Sequence, residues 1–264
     1  MPGVPDVNQN LPHSILITGA AGGIGSALAD AYAAPGVTLL LHGRKEAQLA
    51  AVAARCAARG ARVRTRALDL HDRPALQAWI AQAAAETPID LAFVNAGVNI
   101  RVDPALGAER WSEVENLIAV NILASFATVD ALLPGMRARG SGRIALMSSL
   151  SGYYGLPVSP SYSASKAALK AYGEAMRGLL AAEGIGVTVV MPGFVASPME
   201  QAFPGPKPFL WSAEKAARVI KHRLEGNPAR ISFPFPLDFG SWITAVLPAA
   251  VSQRLIALMG YGRD

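Results

Sequence analysis

The stretch Ser14–Gly25, "SILITGAAGGIG", holds four apolar or small residues, a threonine and then four glycines in seven positions. Its first part is a short continuous apolar run, the pattern of a strand buried on both faces. The glycines that follow let a backbone turn sharply and approach a ligand closely, and the alanine-rich stretch over 24–34 reads as a helix. Strand, glycine turn and helix in that order make a pyrophosphate cradle: Gly19, Gly23 and Gly25 open the turn, and the helix start supplies unpaired N–H groups. The spacing differs from G-x-G-x-x-G, so the position between first strand and first helix carries the reading.

The same rhythm continues outward. "VTLLL" precedes a helix over 46–59, "RVRTRAL" one over 73–86, "LAFVN" one over 111–136, "RIALMSS" one over 161–183, and "GVTVVM" one over 213–224; "RISF" leads into the C-terminal segment. Apolar strands alternating with helices predict a single-domain α/β fold, a doubly wound parallel sheet covered on both faces. No internal repeat or low-complexity linker divides the 264 residues, and at 52% hydrophobic and 16% charged the chain can bury one large core. The N-terminal "MPGVPDVNQNLPHS" lacks the basic start and apolar core of a signal peptide, and no run of eighteen uncharged apolar residues occurs, so a cytoplasmic location is expected.

Several classes are disfavoured. The single cysteine, Cys56, shares a helical stripe with Leu49, Val52 and Ala53 and reads as a core thiol. His13, His42, His71 and His222 are scattered, so no metal site is expected. The net charge of +5 raises nucleic acid, but its densest cluster, Arg62, Arg64 and Arg66, alternates along one strand without aromatic residues to stack bases. Edge protection of a sheet explains it better.

Ligands of a doubly wound sheet sit outside the carboxyl ends of its strands. Twenty residues past Gly23 an acidic side chain would accept from an NAD ribose; here stand Gly43 and Arg44. A guanidinium pairs instead with a 2′-phosphate, with His42 or Lys45 as candidate helpers, so NADP(H) is preferred and NAD(H) kept as the alternative. Asp69 and Leu70 after the third strand, and Asn95, Ala96 and Gly97 after the fourth, would share that edge, or cap a helix or turn. Ser149 ends the fifth strand. In "YSASK", Tyr162 and Lys166 lie at i and i+4 on one helix face, where an ammonium would favour the phenolate and lower its pKa.

With these motifs in place, the chain from Ser14 to Met199 resembles the short-chain dehydrogenase/reductases, through "TGAAGGIG", "NAG", Asn121 in "VNIL", Ser149, "YSASK" and "PGFVASPM". The resemblance implies a seven-stranded Rossmann-type domain and a tetrad: Tyr162 as general acid or base, Ser149 holding the reacting oxygen, Lys166 lowering the Tyr162 pKa and binding the nicotinamide ribose, Asn121 organising a proton path with Lys166. It implies a nucleotide part over 14–193, held by Thr18, Gly19, Gly22, Gly23, Ile24, Gly25, Gly43, Arg44, Asp69, Leu70, Asn95, Ala96 and Gly97. Pro192, Gly193 and Val195 would line the nicotinamide, with Ser197, often threonine in the family, near its carboxamide. The implied partner is a small-molecule carbonyl or alcohol, and the implied assembly a homodimer or homotetramer.

A lid over 194–212 carries Phe203, Phe209, Leu210 and Trp211, which either line a substrate pocket or pack the lid; Tyr153 and Tyr154 pose the same choice. After the last expected strand, Phe235, Phe239, Trp242, Leu247, Leu255 and Met259 must cover the substrate mouth, a second subunit or, as a lesser alternative, a membrane surface. A carbonyl reductase or alcohol dehydrogenase is the leading function, and a catalytically silent NAD(P)-binding regulator or scaffold the alternative.

Overall fold

The structure is a computed structural model and describes residues 12–201, 203 and 205–261. The leader reading of the N-terminus therefore falls mainly outside the described residues, as do Ala202 and Pro204 of the lid. In chain order the elements begin β1 (Ser14–Ile17), α1 (Gly23–Tyr32), β2 (Thr38–Gly43), α2 (Glu46–Ala58), β3 (Arg62–Ala67), α3 (Arg73–Glu86) and β4 (Leu91–Val94). Then come α4 (Trp111–Ile118), α5 (Ala124–Arg139), β5 (Gly142–Met147), α6 (Pro160–Leu180), β6 (Ile185–Pro192), α7 (Pro198–Gln201), α8 (Ala213–Leu224), β7 (Arg230–Phe233), α9 (Leu237–Val246) and α10 (Ala249–Ile256).

The seven strands form one parallel sheet in the order β3-β2-β1-β4-β5-β6-β7. Alternation within each strand divides the core. Ile15, Ile17, Leu39 and Leu41 face the layer of α1, α2 and α8, while Leu16, Leu40, Ala92 and Val94 face that of α3, α5 and α6. Around β1, β2 and β4 both faces exclude water, so these strands read as apolar runs. The strand order reverses between β1 and β4, which opens a crevice at their carboxyl ends.

Local chemistry sets several boundaries. Asp72 accepts from Ala75 N at 3.0 Å and Pro74 stands in the first turn, so α3 starts where its sequence requires. Ser212 caps α8 in the same way, accepting from Lys215 N at 3.2 Å. β3 is an outer strand with Arg62 and Arg66 exposed and Arg64 paired to Glu86, consistent with edge protection. Cys56 is buried, and burial raises its thiol pKa, which keeps it unreactive.

The helix expected over 111–136 is interrupted. A π-helical turn, Ala119–Leu123, separates α4 from α5 and carries Asn121 into the interior. The whole run Trp111–Arg139 is long and apolar enough to cross a membrane by length and composition. Val129, Leu132, Leu133 and Met136 nevertheless pack in the core, the pattern of an interior helix.

Candidate active site

The sheet's switch point opens into a cavity of ≈ 880 Å³ that runs from Arg44, past the glycine turn, to Tyr162 and the C-terminal helices. Its first end is built by backbone. Gly19 sits at φ +67, and a Cβ there would stand 2.8 Å from Ala96 Cα. A Cβ on Gly25 would lie 2.2 Å from Gly19 O, and one on Gly23 would lie 2.8 Å from Ser197 Cβ. No side chain caps the start of α1 at Gly22, so its N–H groups face a cradle that only glycines leave open. Asn95 Nδ2 ties the turn from across the switch point, donating to Thr18 O at 2.9 Å and Gly19 O at 3.3 Å.

Gly22, Ile24, Gly43, Arg44, Asp69, Leu70, Ala96 and Gly97 line the same cavity. Thr18 does not. Its buried hydroxyl accepts from Asn95 N at 2.9 Å and Ala96 N at 3.1 Å, so it fastens β1 to β4 behind the wall. Arg44 and Lys45 are exposed at the rim, and Gln48, which no motif marked, joins them. His42 cannot serve as their cationic helper. Its ring is buried, Nε2 lies 3.1 Å from Leu68 O, and desolvation lowers its pKa, leaving it neutral. Asp69 accepts from His71 N and Nδ1, and these bonds, with Arg44 nearby, hold its carboxyl below the usual range.

At the far end Ser149, Tyr162 and Lys166 line one wall. Ser149 Oγ accepts from Ser151 N at 3.2 Å and donates to Pro192 O at 3.4 Å, which aims it from the end of β5. Lys166 is 5% exposed; Nζ donates to Met147 O at 2.9 Å and lies 5.5 Å from the centre of the Tyr162 ring. The expected lowering of the Tyr162 pKa is corrected. Burial pushes it up to about 12, against a hydrogen bond with Ser149 that lowers it, and burial brings Lys166 down to about 8. Desolvation disfavours both charged forms, so the phenol keeps its proton.

Asn121 stands one layer behind this wall. Its Nδ2 donates to Val98 O at 2.9 Å and Ser165 Oγ at 3.0 Å, while Oδ1 accepts from Val98 N at 2.8 Å. A Cβ on Gly97 would lie 3.2 Å from Asn121 Oδ1 and 3.5 Å from Lys166 Nζ, so glycine separates the two groups. Pro192, Gly193, Val195 and Ser197 line the floor; Ser197 Oγ accepts from Glu200 N at 3.1 Å and thereby also starts α7.

The open choices in the lid divide. Phe203 and Phe209 line the cavity, whereas Trp211 stacks on Phe233 at 4.9 Å and Leu210 is exposed. Tyr154 lines the cavity; Tyr153 accepts from Arg230 at 3.0 Å and lies outside it. Of the tail residues singled out, Met259 reaches the cavity, while Phe235, Phe239, Trp242 and Leu255 are exposed. The tail still closes the mouth, through Leu237, Ser241, Thr244, Ile256 and Tyr261. Sequence reasoning passed over Tyr261 entirely. Its hydroxyl donates to Pro206 O at 2.5 Å, and its ring stands 6.4 Å from Phe194 and 6.1 Å from Phe203. Among the described residues no cluster of three or more His, Cys, Asp or Glu could hold a metal ion.

Comparison with known proteins fits this geometry. The family described as short chain dehydrogenase matches residues 13–206. An uncharacterized oxidoreductase of Myxococcus xanthus is 35% identical over 239 residues, 89% of this chain and 93% of its own. A fatty acyl-CoA reductase of Mycobacterium tuberculosis is 32% identical over 228 residues, 83% of this chain and 75% of its own. In fold, a short-chain dehydrogenase of Sphingobium yanoikuyae solved with NADPH superposes with TM-score 0.77 at 24% identity, covering 95% of this chain and 96% of that one.

Proposed function

The chain belongs to the short chain dehydrogenase family and is an NAD(P)-dependent oxidoreductase, and we propose that it reduces a ketone with NADPH, or oxidises the matching secondary alcohol, with Tyr162 as the proton donor. The observation that carries this reading is one continuous cavity with a glycine cradle and Arg44 at one end and Ser149, Tyr162 and Lys166 at the other. Bound in this cavity, NADPH would supply hydride chemistry to a carbonyl carbon, being oxidised to NADP⁺. The glycine turn and the α1 N-terminus would hold its pyrophosphate, and Arg44 with Lys45 its 2′-phosphate.

The chain's own residues then have distinct tasks. Ser149 Oγ holds the substrate oxygen within hydrogen-bond reach of Tyr162. The Tyr162 phenol, protonated in its buried setting, donates its proton to that oxygen as the hydride arrives at carbon. Lys166, fixed by Met147 O, would hold the nicotinamide ribose and stabilise the phenolate left behind. Asn121 ties the π-helical turn to the loop after β4 at Val98 and to Ser165 of α6, and so acts as a positioning residue. Pro192, Gly193 and Val195, which line the cavity floor, would face the nicotinamide. A homodimer or homotetramer is part of the same reading, supported by the exposed Trp111, Ile118 and Leu179 on the helices around Asn121 and Tyr162.

NADPH oxidation with a panel of ketones, run beside Tyr162→Phe, tests the proposal. Loss of turnover in the variant with NADPH binding retained is the expected result. NADPH binding without turnover in either protein would favour the regulatory alternative.

A further inference from the structure

The cavity's two ends differ in the partners they offer a ligand. Near Arg44 there are cations and open N–H groups; beyond Tyr162 the walls are Leu150, Leu156, Ile256 and Met259, closed by an aromatic group. In that group Phe194 and Phe203 stand 5.5 Å apart, each with Tyr261 beside it. Several polar side chains on these walls already bond the chain itself, while Asn99 Oδ1 and Ser151 Oγ are buried without a partner among the described residues. Ser241 Oγ donates to Leu237 O at 2.8 Å, Thr244 Oγ1 to Ser241 O at 2.7 Å, Tyr154 to Ala249 O at 3.4 Å, and Tyr261 to Pro206 O. A polyol would lose its water and find few free donors in exchange.

Charge narrows the choice further. Besides Lys166, the ionisable group on this part of the wall is the Glu200 carboxylate, 9% exposed; its counter-ion Lys207, 2.9 Å away, is not part of the wall. Among the described residues, an anionic substrate would meet the Glu200 carboxylate there, and the lining cation, Lys166, is already engaged by Met147 O.

Resting on the reductase reading above, we infer that the site takes a bulky, neutral, apolar ketone and rejects keto acids and keto-sugars, with Tyr261 latching the lid around it. The latch joins the last turn of the described chain to Pro206. Its aromatic ring completes the wall, and its hydroxyl holds the lid segment against the tail.

The test compares kcat/KM with NADPH for 2-decalone, cyclohexanone, 9-oxodecanoate and fructose. In the wild type 2-decalone should exceed both 9-oxodecanoate and fructose by about a hundredfold, since a carboxylate or hydroxyl entering an apolar wall loses its water without a compensating bond. Glu200→Gln should narrow the ratio of 2-decalone to 9-oxodecanoate by about tenfold. Tyr261→Phe, which keeps the ring and loses the latch bond, should lower kcat/KM for 2-decalone about threefold to tenfold through KM, and for cyclohexanone less. Tyr162-dependent turnover that favours 9-oxodecanoate or fructose would overturn the substrate inference and leave the reductase standing. If no ketone turns over, the reductase reading fails, and calorimetry on NADP⁺-loaded protein decides the inference separately. Binding of 2-decalone tighter than of 9-oxodecanoate and fructose would support it, and equal or weaker binding would overturn it.

Discussion

The nucleotide end and the substrate end of the cavity are built on opposite plans. At the first, backbone touches backbone: Gly19, Gly23 and Gly25 are places where a single added carbon would collide with the chain or a neighbouring residue. At the second, side chains from the lid and from the tail meet across more than fifty residues, as Tyr261 does with Pro206. A backbone cradle tolerates almost no substitution, so its composition announces it. A side-chain wall accepts many combinations, so the difference explains how one fold can keep its cofactor and exchange its substrate.

Glycine substitutions at the two ends should therefore part in sign. Gly25→Ala places a methyl 2.2 Å from Gly19 O, and should cost about 1–3 kcal/mol of stability and lower NADPH affinity about tenfold or more, read by thermal melting and by nicotinamide fluorescence. A wild-type affinity in this variant would break the contrast. Gly240 lies within α9 with nothing near its would-be Cβ. There Gly240→Ala should stabilise by about 0.5–1 kcal/mol, because the helix no longer fixes a glycine.

Between these extremes, Arg44→Ala should lower the preference for NADPH over NADH about tenfold, the worth of a charge-assisted bond, with little change in kcat/KM for cyclohexanone at saturating NADPH. An unchanged preference would shift the 2′-phosphate to Lys45 or Gln48. A pH profile sharpens the chemistry. Lys166, brought down to about 8 by burial, is charged below that value and neutral above it, while Tyr162, pushed up to about 12, stays protonated throughout. Reduction should therefore hold at neutral pH and decline as pH rises through about 8, and Lys166→Arg should remove that decline.

Features governed by short-range chemistry were legible in the sequence. The expected helix over 73–86 is α3, and the continuous apolar run "SILI" is β1, buried on both faces. The π-helical turn was not legible, because "AVNIL" has ordinary helical composition and the inserted residue is recognisable only by its hydrogen bonds. His42 was misjudged because proximity to Arg44 in sequence says nothing of burial. The Tyr162 pKa erred for a related reason: the i, i+4 spacing shows a neighbouring Lys166, but the desolvation that raises the phenol pKa comes from the fold. Tyr261 had no local signal at all, since its partners are Phe194, Phe203 and Pro206.

The most direct test of the account is a single-turnover measurement with NADPH deuterated at C4, using excess protein and 2-decalone, with the product read by mass spectrometry in wild type and Tyr162→Phe. The account predicts deuterium at the carbinol carbon of the wild-type product and a rate lower by about a hundredfold or more in the variant, the worth of a positioned proton donor, at unchanged NADPH affinity. Equal rates of deuterium transfer in both proteins would contradict the assignment of Tyr162 as the proton donor.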